Sequence, residues 1–137
     1  MEQTMNDASR ASRPLILVVE DHGSLRTSIV TWLQFRFPGS LVQGVESGEE
    51  ALAHARAARP DVVLMDINLP GIDGLEATRR IKGEAPKTAV VMLTTHDTPR
   101  HRLAAAKAGA SGYIAKRDME TLLEATVECF LQSRARS

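Results

Sequence analysis

VVLMDINLPGIDG, residues 62–74, opens as an unbroken apolar run and closes in a turn made by Pro70, Gly71 and Gly74, with a carboxylate, Asp66, where the run stops. A short apolar run bounded by turn residues is the pattern of a strand covered on both faces. The residues after it, GLEATRRIKGE (74–84), are helical in composition. Strand, turn and helix make one β–α unit, and the same unit recurs on either side.

Toward the N-terminus, LILVV (15–19) is a second continuous apolar run, after which Leu25, Ile29, Trp32 and Leu33 recur at helical spacing up to Phe37-Pro38-Gly39. SLVQGV (40–45) is shorter and more polar, as an edge strand is, and SGEEALAHARAARP (47–60) reads as an alanine-rich helix stopped by Pro60. Toward the C-terminus, TAVVMLTT (88–95) gives a fourth strand, about Pro99 to Ala108 a helix, and SGYIAK (111–116) a fifth strand. The last helix, about Met119 to Leu131, carries Leu122, Leu123, Thr126, Val127 and Phe130 on one face.

Five β–α units with apolar central strands imply a parallel sheet with helices on both faces. The polar second strand suits an edge, which favours the flavodoxin-like strand order 2-1-3-4-5 over the dinucleotide-binding order. The expected fold class is therefore a doubly wound α/β domain over residues 14–132, with a flexible lead (1–13) and a tail or linker stub (133–137).

Size and composition fit this plan. A chain of 137 residues is long enough to bury one core, and 43% hydrophobic with 25% charged residues describes a globular chain. Lys+Arg and Asp+Glu balance at 17 each, so no basic field argues for nucleic acid. A single cysteine, Cys129, excludes an internal disulfide and fits a reducing compartment. No run approaches the roughly 18 apolar residues of a membrane span, and the first residues hold no apolar signal segment, so a cytoplasmic location is expected.

In such sheets ligands sit beyond the carboxyl ends of the strands. Strand one ends in Glu20-Asp21, strand three in Asp66, strand four in Thr94-Thr95-His96 and strand five in Lys116. Each residue alone has an ordinary reading: Asp21 as a helix cap, Asp66 as a turn residue, Thr94 as a β-branched strand residue, Lys116 as a solvated charge. Together, three carboxylates crowd one edge and repel. A hard divalent cation held through oxygen relieves that, and Mg²⁺ suits the donor set.

The set VVEDH (18–22), VVLMDINLPGIDGLE (62–76), VVMLTT (90–95) and AGASGYIAK (108–116) resembles the receiver domain of bacterial two-component response regulators. The resemblance implies that Asp66 is the phosphoacceptor, taking a phosphoryl group from a sensor histidine kinase or phosphotransfer protein. It implies that Glu20, Asp21 and Asp66, with the backbone carbonyl of Asn68, hold Mg²⁺. Lys116 then pairs with phosphoryl oxygens and Thr94 hydrogen-bonds to them. Thr94 and Tyr113 act as the switch, and Asn68 and His96 flank the phosphoryl group and tune its lifetime. A phosphorylation-dependent homodimer through helix four, strand five and helix five is implied as well. One departure stands out: many receivers have proline after the lysine, whereas this chain has Arg117, for which a trans peptide is expected.

His22 and His101 read as exposed helix residues and Cys129 as a small apolar group on the last helix. The output is expected to be transcription regulation through a DNA-binding domain not among these residues, or else that of a stand-alone receiver serving a phosphorelay or protein contact. Two rival functions fit less well. A phosphohydrolase of the haloacid dehalogenase type places a second aspartate where this chain has Asn68. A flavodoxin-type electron carrier needs a phosphate loop after the first strand. The chain is thus expected to catalyse only its own phosphorylation and dephosphorylation.

Overall fold

The computed structural model describes residues 13–136, so residues 1–12 of the expected lead, and Ser137, lie outside the described residues. β1 (Leu15–Val19), β3 (Val62–Asp66) and β4 (Ala89–Thr94) are buried along their whole length, as their apolar runs require. β2 (Leu41–Val45) and β5 (Gly112–Ala115) flank them, and all five are parallel in the order β2-β1-β3-β4-β5. The polar β2 is an edge strand, as its composition demands.

Among the described residues five α-helices complete the units: α1 (Gly23–Arg36), α2 (Gly48–Ala58), α3 (Gly74–Glu84), α4 (Pro99–Ala108) and α5 (Met119–Arg136). A 3₁₀ turn, Lys116–Asp118, joins β5 to α5. The starts of α2, α3 and α4 are capped by Ser47, Asp73 and Thr98, whose side-chain oxygens accept from the backbone N–H three residues on. α4 ends at Gly109 in a left-handed conformation. α1 differs: its N-cap is His22, with no side-chain capping bond. The helix-cap reading of Asp21 therefore does not describe this chain.

Alternate strand residues face opposite sides and divide the core in two. Leu17, Val19, Val63, Met65 and Met92 pack under α2 and α3 with Ala51, Leu52, Ala77 and Ile81. Ile16, Val18, Leu64 and Leu93 pack under α1 and α5 with Ile29, Leu33, Leu123 and Val127. Truncating Leu64 or Ile81, both fully buried, to alanine costs about 2–5 kcal/mol.

Two glycines are required by the turn after Asp66. Gly71 has φ +74°. At Gly74 a Cβ would lie 2.1 Å from the carbonyl oxygen of Asp66, so only glycine lets the start of α3 close onto the strand end.

One expectation is corrected. α5 does not end near Leu131 but runs to Arg136, because Gln132 bonds back to Glu128 (3.4 Å) and Arg134 pairs with Asp61 (2.9 Å). The first residues of the expected tail are thus helical. Cys129 is exposed, since it lies off the Leu123–Val127 stripe that faces the sheet. No helix among the described residues is long and apolar enough to cross a membrane.

Candidate functional site

Strand register alone brings the acids and the lysine to one edge. Val19 pairs with Met65, so Glu20 and Asp66 come next on neighbouring strands; Thr94 pairs with Ala115, so Lys116 follows beside them. Lys116 then crosses to the acids: its Nζ donates to Glu20 Oε1 at 2.8 Å and to Asp66 Oδ2 at 3.3 Å. Glu20 and Asp66 are almost fully buried, so an ammonium is what keeps two carboxylates tolerable there.

The two acids share that cation unequally. Burial pushes Glu20 up, but hydrogen bonds from Lys116 and from the His22 backbone and ring outweigh it and hold Glu20 low. Burial raises Asp66, the Glu20 charge raises it further, and the longer Lys116 contact and the Asn68 N–H only partly offset them. Lys116 is pulled down by burial and raised more by Glu20 and Asp66, so it stays an ammonium. Of the two acids, Asp66 is the one on which a proton is favoured.

Asn68 contributes its backbone N–H to Asp66 Oδ1 (3.1 Å), while its side chain is exposed. Asp21 is half-buried, and its Oδ1 is buried without a hydrogen-bond partner among the described residues, 3.4 Å from His22 Nδ1. His22 is exposed, yet its ring nitrogen meets Glu20 Oε2 at 3.1 Å, which with the Asp21 charge raises its pKa. Ligating atoms of Glu20, Asp21 and His22 all lie within 4.8 Å of one another.

A hard cation fits this donor set: the oxygens are carboxylates, and one of them is buried and unpartnered. The fit has a condition. Both Glu20 oxygens are engaged, one by Lys116 and one by His22, whereas Asp21 Oδ1 is not hydrogen-bonded.

Thr94 is fully buried. Its Oγ1 accepts from the His96 N–H at 3.0 Å and sits 3.4 Å from the His96 carbonyl. That carbonyl also accepts from the Tyr113 hydroxyl, so Thr94 and Tyr113 meet at one backbone residue. The His96 ring is exposed and stacks on His101, centroids 5.3 Å apart.

Three residues take roles that the sequence does not announce. His22 is exposed, as expected of it, but its ring serves the acids and leaves the helix uncapped. Arg26 donates to the Glu20 carbonyl at 2.8 Å, its stem lying where a Cβ on Gly44 would intrude at 3.0 Å. Asp97 takes two arginines, Arg102 at 2.7 Å and Arg117 at 2.8 Å. The EDH run and the glycine in β2 hint at the first two; nothing local marks the third. The Lys116–Arg117 peptide is trans, as every described bond is.

A doubly wound α/β domain with a lysine over a strand-end aspartate belongs to the CheY-like class of folds. A CheY-like receiver structure from Methanospirillum hungatei JF-1 matches with TM-score 0.79 at 27% identity, covering 92% of this chain and all of that one. The family model of the response regulator receiver domain matches residues 16–127. The chain belongs to the response regulator receiver family, whose members act in two-component signalling and are not conventional enzymes. It is 43% identical over 101 residues to the response regulator GacA of Pseudomonas viridiflava, covering 74% of this chain and 47% of GacA. It is 34% identical over 122 residues to the transcriptional regulatory protein DegU of Brevibacillus brevis, covering 88% and 52%. The chain thus spans about half the length of these curated relatives.

Proposed function

We propose that Asp66 accepts a phosphoryl group from a phosphohistidine on a sensor histidine kinase or phosphotransfer protein. The observation that carries this reading is the Lys116 ammonium held between Asp66 and Glu20 at the carboxyl edge of the sheet. Asp66 Oδ attacks phosphorus, the P–N bond breaks, and its electron pair leaves on the donor's imidazole nitrogen. The Asn68 N–H holds the carboxylate in line, so that positioning supplies much of the rate. Lys116 transfers its donation from Glu20 to a phosphoryl oxygen.

Receivers typically use Mg²⁺, and Asp21, Asp66, Glu20 and the Asn68 carbonyl are the groups that would hold it here. Bound, it supplies neutralisation of the phosphoryl charge. Thr94 then turns its hydroxyl from His96 toward the phosphoryl oxygens. With Thr94 gone from beside the His96 carbonyl, Tyr113 turns inward from the surface of α4, β5 and α5. That surface passes the signal to a second copy of the chain or to a partner. The output we assign is transcription regulation in the cytoplasm, the class named for DegU.

The test is incubation with acetyl phosphate and Mg²⁺, followed by intact-mass measurement. One phosphoryl group is expected on the wild type and none on Asp66→Asn; equal labelling of the two overturns the assignment. Chelation of Mg²⁺ is expected to stop labelling.

A further inference from the structure

Asp97 stands in the loop between β4 and α4, with its side chain 11% exposed. Each of its oxygens holds one guanidinium. Oδ1 accepts from Arg102 Nε at 2.7 Å, in the first half of α4, and Oδ2 from Arg117 at 2.8 Å, in the turn that follows Lys116. Arg117 also lies 3.8 Å from Asp118. One carboxylate therefore fastens three segments together: the loop after Thr94, the helix α4 and the turn after Lys116.

The fastening bears on Tyr113. The Arg102 guanidinium lies over the Tyr113 ring at 4.7 Å from its centroid, and the Tyr113 hydroxyl donates to the His96 carbonyl, one residue before Asp97. The ring is thus covered by an arginine that Asp97 orients, and bonded to a backbone that Asp97 holds. Inward rotation of Tyr113 requires both contacts to be released.

We propose that Asp97, with Arg102 and Arg117, is a latch that holds Thr94 and Tyr113 in the resting arrangement and so sets how far the unphosphorylated chain is switched. The inference rests on the phosphorylation reading for what the latch restrains, but its own evidence is the ion-pair bridge. Asp97, Arg102 and Arg117 are positioning residues: they touch neither Asp66 nor the acids around it. An equilibrium between resting and switched forms shifts, without any ligand, by the free energy of an ion pair that only the resting form makes. Solvent-exposed ion pairs are weak, so each substitution moves the ratio by about two- to fivefold.

Tyr113 is the chain's one tyrosine, so 3-fluorotyrosine labelling yields one ¹⁹F signal from the ring in question. The experiment records it without any phosphodonor for wild type, Asp97→Asn, Arg117→Gln and the double variant. Arg117 is 66% exposed and pairs with Asp97 and Asp118, not with Tyr113, so its removal disturbs neither the core nor the ring directly. The expected result is a shift of the resonance in the same direction in both single variants, toward the position reached by the wild type after acetyl phosphate. The double variant is expected to move no further than Asp97→Asn alone, and Asp97→Glu to restore the wild-type signal in part. A wild-type resonance in Arg117→Gln overturns the latch, and so do effects that add in the double variant. The variants are recorded without phosphodonor, so either failure leaves the phosphorylation of Asp66 standing. If the wild type itself does not respond to acetyl phosphate, the phosphorylation reading fails, while a common direction in the two single variants and non-additivity in the double variant still decide the latch.

Discussion

The side chains of Glu20, Asp66 and Lys116 are 1%, 5% and 16% exposed, whereas Arg102 and Arg117, which hold the neighbouring loop, are 53% and 66% exposed. Both groups are ion-pair networks at the same edge of one sheet. In the first, water is excluded, charges feel each other strongly, and removing one partner leaves a buried charge stranded. In the second, the shared Asp97 carboxylate is 11% exposed, but the arginines that meet it stand in solvent, which screens the pairs, and either arginine can be exchanged at little expense. The difference assigns them different work. Chemistry needs groups that stay put, and a conformational response needs contacts that can be given up.

Lys116 separates the two networks most sharply. Lys116→Ala is expected to slow phosphorylation by acetyl phosphate on the order of 100-fold, since it removes the charge that meets the phosphoryl oxygens. It is also expected to lower the melting temperature, because Glu20 and Asp66 lose their shared cation. A mild, roughly twofold effect on phosphorylation would place the cluster with the exposed pairs and break the contrast.

Mg²⁺ affinity sharpens it next. Asp21→Asn is expected to weaken binding about tenfold by calorimetry, and Glu20→Gln less, because Glu20 is already engaged by Lys116 and His22. An unchanged affinity in the double variant would exclude the acids as ligands.

Without metal, the buried Asp66 carboxylate also bears on stability. Burial and the Glu20 charge raise the Asp66 pKa, so the folded chain holds that proton more tightly than the unfolded one. The ionised carboxylate therefore destabilises the fold at neutral pH, and stability is gained as pH falls through the raised value. Asp66→Asn is expected to melt a few degrees higher than wild type at pH 7, the size of about 1 kcal/mol. Differential scanning calorimetry should find the gap closing as pH drops.

The smallest effect belongs to the exposed loop. His96→Ala is expected to change the rate of loss of the phosphoryl group by no more than about twofold, since the ring is exposed and stacked on His101. Coincident dephosphorylation rates in wild type and His96→Ala would show that His96 has no part in that lifetime.

The strands and their order were legible because an apolar run cannot be mistaken for a solvated loop, and because a polar β2 belongs at an edge. The convergence of Glu20, Asp66 and Lys116 followed from register, which strand ends already imply. What escaped was set by side-chain reach. Periodicity assigns a residue to a face but is silent about where a long, flexible stem carries a guanidinium, so Arg117 meeting Asp97 across 20 positions had no local sign. His22 looks like helix surface in the sequence; the adjacent acids are the one hint that its ring turns back to Glu20 instead of capping α1. The reach of α5 to Arg136 was hidden for the same reason: Arg134 is held by Asp61, 73 positions away.

That anchor makes α5 a measuring rod. Eighteen residues of helix span about 27 Å. The first turn of α5 follows the 3₁₀ turn that carries Lys116, at the carboxyl edge of the sheet. Its last turns are tied to Asp61, whose other oxygen accepts from the Leu15 N–H at the amino ends of β1 and β3. The helix therefore joins the chemical edge of the domain to the opposite one. Lys116 at one edge and Asp61 at the other are thus tied to the two ends of a single helix, whose Leu123 and Val127 are buried against the sheet between them.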